Sequence, residues 1–86
     1  MPKPPKITAA DLRNLLASRT ADPVLYVDVE NGLRLDVWTS ALVSHHHAVI
    51  SREELVDAFG EDVTDDEIAD LLPELQDTVN RIAADS

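Results

Sequence analysis

Three times along this chain a Thr or Ser is followed three positions later by an acidic residue and bracketed by a pair of aliphatics. Thr8 precedes Asp11 between Ile7 and Leu12, Ser51 precedes Glu54 between Ile50 and Leu55, and Thr64 precedes Glu67 between Val63 and Ile68. A hydroxyl just before a helix accepts from a free N–H of the first turn. The acid three residues on reaches back to the N–H of the hydroxyl residue, and the aliphatic pair fixes the angle at which the chain enters. The pattern predicts helices beginning near residues 9, 52 and 65. The first should run to about Arg19 and bury Leu12, Leu15 and Leu16. The second should be short, burying Leu55, Val56 and Phe59, with Gly60 as its stop.

Between the first two helix starts, Leu25, Val27 and Val29 alternate with Tyr26, Asp28 and Glu30. After Asn31-Gly32, Leu33, Leu35 and Val37 alternate with Arg34, Asp36 and Trp38. Alternation of period two marks two half-buried strands, and the Asn-Gly pair marks a hairpin. A two-residue Asn-Gly loop would set Val29 opposite Arg34 and Val27 opposite Asp36, mixing apolar and charged residues on one face. A three-residue loop, Glu30-Asn31-Gly32 with Gly32 left-handed, pairs Val29 with Leu33, Val27 with Leu35 and Leu25 with Val37 instead. It also sets Asp28 across from Arg34. The second register is the expected one. Residues 40–50 fit no single pattern; a third short strand is expected near Ala48–Ile50, leading into Ser51.

The last element is the longest. Ile68, Leu71, Leu72, Leu75, Val79 and Ile82 form one apolar stripe at helical spacing. Pro73 interrupts it, and a mid-helix proline removes the bond to the carbonyl four residues back. The stripe keeps its phase across Pro73, which favours a kink over a break and restart. Packed on the sheet, the stripe completes the core; shared with a second copy, it would make a homodimer through the C-terminal helix. The fold class expected is thus α+β. It is a small single domain over residues 7–86, ordered helix, β-hairpin with a third short strand, short helix and long Pro-kinked helix. Residues 1–6, with three Pro and two Lys, form a flexible tail.

At 86 residues the core is thin, with stability of order 4–13 kcal/mol. A large enclosed substrate cavity is not expected. The absence of Cys removes disulfides, thiolate nucleophiles and cysteine zinc sites, and favours a cytoplasmic location. No run of residues suggests a signal peptide or a membrane span. Seventeen Asp and Glu against seven Lys and Arg give a net charge of −10. Such a chain repels phosphate backbones and anionic membranes, so direct nucleic-acid or membrane binding is disfavoured and a protein partner with a basic surface is favoured. A competing origin is compositional: Asp over Glu, Arg over Lys and abundant Ala are what a GC-rich coding sequence or a salt-adapted proteome produces.

Few residues offer chemistry. His45-His46-His47 would bring His45 and His47 to one side of an extended segment as a metal pair, but the signal is weak: no further His accompanies them, and a solvated loop is the commoner role of such a run. Ser44 beside His45 lacks a nucleophile elbow, and two Gly are too few for a phosphate loop. No enzyme activity, cofactor or metal is expected. The acidic array is more informative. Asp66, Asp70, Glu74 and Asp77 line one flank of the last helix; the helix dipole favours Asp65, Asp66 and Glu67 in the first turn, but Asp70, Glu74 and Asp77 lie beyond it, where like charges four apart oppose helix formation. Tyr26 and Trp38 fall on one hairpin face as diagonal neighbours. They are exposed together with Val24 if helices cover only the other face, and core if helices cover both.

These features lead to a non-catalytic, acidic protein-interaction or regulatory module that binds through Asp66, Asp70, Glu74, Asp77, Tyr26 and Trp38. The alternative is a nucleic-acid mimic whose carboxylates occupy the basic site of a DNA- or RNA-binding protein. A His-dependent activity and a filler role within a larger assembly are further readings.

Overall fold

The computed structural model describes residues 3–30 and 32–85. Helix α1 spans Ala9–Ala17, strand β1 Pro23–Asp28 and strand β2 Arg34–Thr39. A 3₁₀ turn at Ser40–Leu42 leads towards strand β3 at Ala48–Ser51, followed by helices α2, Arg52–Phe59, and α3, Asp65–Ala84. The sheet is antiparallel throughout, in the order β2-β1-β3. This is a small single-domain α+β fold with the expected element order.

All three helices start where their caps place them. At α3 the box is complete: Glu67 N–H donates to Thr64 Oγ1 (3.2 Å) and Thr64 N–H donates to Glu67 Oε1 (3.1 Å). At α2, Glu54 N–H donates to Ser51 Oγ at 3.0 Å. At α1 the return half dominates, with both the Thr8 N–H and its hydroxyl donating to Asp11 Oδ2 at 2.8 and 3.1 Å. Arg13 then ties α1 to the entrance of α3, donating to the Val63 carbonyl (3.2 Å) and pairing with Asp65. Helix α1 ends at Ala17, short of the expected Arg19. Ser18 is extended there, and its carbonyl accepts from Arg52 at 2.9 Å, which pulls the chain out of the helix. Leu16, Val56 and Phe59 are half-buried rather than buried.

The hairpin register is the three-residue-loop one: Leu25 opposes Val37, Val27 opposes Leu35 and Asp28 opposes Arg34. Gly32 has the positive φ expected, +87°; Asn31 lies outside the described residues. The ladder stops at Asp28 and Arg34, so Val29 and Leu33 do not extend it. Leu33 is the reason: at φ +57° it leaves the strand conformation and turns its side chain into the core, 8% exposed. A left-handed non-glycine costs roughly 1–2 kcal/mol, which burial of a Leu side chain offsets. On the other side of β1 the pairing shifts between Leu25–Ile50 and Tyr26–Ala48, leaving Val49 as the bulged residue.

The odd-numbered face of β1 carries the core. Leu25, Val27, Leu33 and Ile50 meet Leu12 and Leu15 of α1, Leu55 of α2 and Ile68, Leu75, Val79 and Ile82 of α3. Helix α3 runs unbroken across Pro73. Ile68, Leu75, Val79 and Ile82 of its apolar stripe are buried in the core, and Leu71 and Leu72 are half-buried. Of the expected tail, Met1 and Pro2 lie outside the described residues. Before α1 the Pro5 carbonyl accepts from Gln76 Nε2 at 3.0 Å, and Ile7 N–H donates to Gln76 Oε1 at 2.9 Å. Among the described residues no helix is long and apolar enough to cross a membrane.

Candidate functional site

The sequence singles out two surfaces, and the fold sets them on opposite sides of the molecule. On α3, Asp66, Asp70, Glu74 and Asp77 are all exposed, and among the described residues none has an ion-pair partner. Each lies on the side of the helix turned away from Ile68, Leu75 and Val79: two residues along a helix are about 200° apart. This pole points away from the sheet. Tyr26 and Trp38 sit on the even-numbered sheet face, which no helix covers. Tyr26 opposes Asp36 and Trp38 opposes Val24, so the two aromatics are diagonal neighbours as expected. One compact partner cannot rest on both surfaces at once.

What covers the even face is the chain after β2. Ser40 N–H donates to the Asp22 carbonyl at 2.9 Å, prolonging the hairpin ladder, and His47 returns its carbonyl to Val27 N–H at 2.9 Å. Residues between these two anchors pass across the face. On this face Val24 is buried, 4% exposed, outside the main core, and Tyr26 is half-buried. Trp38 remains 50% exposed and Leu42 72% exposed. Both line a single groove of about 440 Å³ with Tyr26, Val43, Asp28 and Glu30. Leu42 and Val43 carry no periodic signal, because residues 40–47 hold only a 3₁₀ turn, a bend and a further turn. The signal available was an apolar pair stranded in a polar connection.

The groove is anionic. Asp28 and Asp36 flank Tyr26, and Arg34 lies between them, its Nε 4.0 Å from Asp28 Oδ2 and its Nη2 3.9 Å from Asp36 Oδ2. Burial raises the phenol pKa of Tyr26 above its ordinary 10.0; Asp36 and then Asp28 raise it further, and Arg34 opposes them. In the unfolded chain the phenol deprotonates near pH 10 while the folded protein still holds the proton. The stability this contributes is therefore whole below pH 10 and is lost as pH rises through the folded value. An absorbance titration of this single Tyr should show a midpoint above 10 in the native protein, and Asp36→Asn should move it back towards 10. A native midpoint at or below the unfolded one would contradict this account of the groove.

His45, His46 and His47 form a turn, not an extended pair, in which His47 N–H donates to the Ser44 carbonyl (3.0 Å) and His46 N–H to Ser44 Oγ (3.3 Å). His45 lines a broad depression with Arg52 and Glu53, whereas His47 lines the Trp38 groove. Among the described residues no three His, Asp or Glu side chains are grouped to hold a metal ion. Compared with known protein families, curated proteins and solved structures, the chain matches none.

Proposed function

We propose that this protein is a non-catalytic interaction module that holds a basic protein partner at the groove formed by Trp38, Leu42, Tyr26 and Val43. The observation that carries the reading is that Trp38 and Leu42, the exposed large hydrophobics of the described residues, share one groove rimmed by Asp28 and Glu30. An indole beside carboxylates offers an apolar anchor, a face for cation–π contact with Lys or Arg, and charge that attracts the same cations. Exposed large apolar side chains that meet in one groove are a feature of binding surfaces. A chain free of Cys suits action in the cytoplasm.

Nucleic-acid mimicry finds less support in the acidic pole of α3. Asp66, Asp70, Glu74 and Asp77 spread over about 16 Å of helix, roughly one charge per 5–6 Å, against one per ~1.7 Å of duplex axis. At that spacing the four carboxylates are too sparse to imitate the denser track, and the pole is assigned to solubility.

Affinity capture at low salt with salt-gradient elution separates the readings. Three baits are needed: the unaltered chain, Trp38→Ala/Leu42→Ser, and Asp70→Lys/Glu74→Lys/Asp77→Lys. The expected result is a partner retained by the first and third and lost by the second, since truncating a central Trp costs about 2 kcal/mol or more, some thirtyfold in affinity. Loss with the lysine variant alone, with elution of the partner between ~50 and 200 mM salt, would replace the module with a mimic. Circular dichroism of each bait confirms that it is folded.

A further inference from the structure

Among the described residues the outer side of β2 is one of the two open edges of the sheet, apart from the Leu42 side of the Trp38 groove. Val27 N–H bonds to the His47 carbonyl just before β3, and Ser40 N–H bonds to Asp22 in the other direction. In an antiparallel ladder the bonding direction alternates residue by residue. Even-numbered residues of β2 therefore bond to β1, and Leu35, Val37 and Thr39 aim their N–H and C=O groups outward. The Val37 amide agrees, since its N–H is taken not by a strand but by the Oδ1 of its neighbour Asp36 at 2.8 Å. Strand β2 contains no Pro and has no bulge in its pairing with β1.

A groove of about 340 Å³ runs beside this edge, between Asp11, Asn14 and Ala17 of α1 and Leu35 and Val37 of β2. Leu35 and Val37 are only half-buried there, although they lie on the core face. Asp11 and Asp36 border the groove, and the nearby cation, Arg34, already lies close to Asp28 and Asp36.

We propose that the outer edge of β2 accepts an extended segment of a partner protein as a fourth strand. The segment alternates apolar residues, which lie over Leu35 and Val37 and fill the groove beside α1, with cationic residues, one of which lies over Asp36 on the open face. The incoming carbonyl takes the Val37 N–H, and the released Asp36 carboxylate turns to the cation placed opposite it. A second copy of this chain is a poorer occupant: its β2 offers one Arg against one Asp, and two chains of net charge −10 repel.

Amide hydrogen exchange on the full chain, labelled for NMR, tests this with synthetic peptides. An eight-residue peptide alternating Val and Lys should slow exchange at Leu35, Val37 and Thr39. The same peptide N-methylated at its valines, whose amides would face β2, should bind at least about tenfold more weakly. A block peptide of the same composition should leave those amides unchanged. Leu42→Ser should bind the alternating peptide as the unaltered chain does, which separates this edge from the groove of the proposed function. Equal binding of alternating and block peptides, or protection confined to residues 40–47, overturns the edge proposal. Protection of the same amides by raising protein concentration alone, with no response to peptide, assigns the edge to self-association and overturns it as well.

Discussion

Leu55→Ala should destabilise this protein by about 3–4 kcal/mol, a large share of the whole stability of an 86-residue chain. Leu55 is the buried residue of α2 and is fully enclosed, at 0% exposed. Its truncation loses the transfer energy of the side chain and leaves a cavity in a core with little capacity to collapse. The eight residues of α2 also cannot hold a helix unaided, since isolated helices below ~12–15 residues are marginal in water. The sheet contact made by Leu55 therefore stabilises the local fold of α2 as well as the core. Urea denaturation followed by circular dichroism should show the loss, and the melting temperature should fall by roughly 4–8 °C per kcal/mol. A change below about 1 kcal/mol would mean that α2 is held by its Ser51 cap and the Arg52–Ser18 bond more than by packing.

Pro73→Ala should act in the opposite direction, raising stability by about 2 kcal/mol. Pro73 lies inside α3, where it has no N–H for the Ala69 carbonyl and its ring crowds that carbonyl. Relative to Ala, an interior proline costs ~3 kcal/mol; its restriction of the unfolded chain returns only about 0.4–1 kcal/mol. The residue is exposed, so its removal loses no packing. The same denaturation experiment reads the gain. If stability falls instead, the helix needs the proline's local geometry to bring both Ile68 and Ile82 onto the sheet, and the variant's far-ultraviolet spectrum should lose helical signal.

How far the sequence reaches depends on the range of the interaction that decides each feature. The three helix starts are settled within about five residues by a hydroxyl, an acid and two aliphatics, and all three stand where that chemistry places them. The hairpin register follows from matching apolar residues across a turn, and it too was legible. What failed to show were features decided at long range. The early end of α1 depends on Arg52, thirty-four positions away. Leu33 leaves the ladder because a core contact outweighs a strained backbone angle. The groove at Trp38 depends on residues 40–47 folding back over the sheet, held by two backbone bonds that no periodicity signals. The acidic array was visible as a pattern, but only the helix orientation shows that it faces away from the aromatic surface.

The amide of Gln76 grips both Pro5 and Ile7, bridging 71 and 69 positions of sequence. Helix α3 also supplies Ile68, Leu75, Val79 and Ile82 to the core. The hairpin, α1 and α2 therefore keep an apolar face that is fully covered only when α3, distant in sequence, packs onto it. Closing the fold must therefore wait for contacts between residues about 70 positions apart, and until they form the uncovered sheet face depends on the chain's acidity to stay clear of its neighbours.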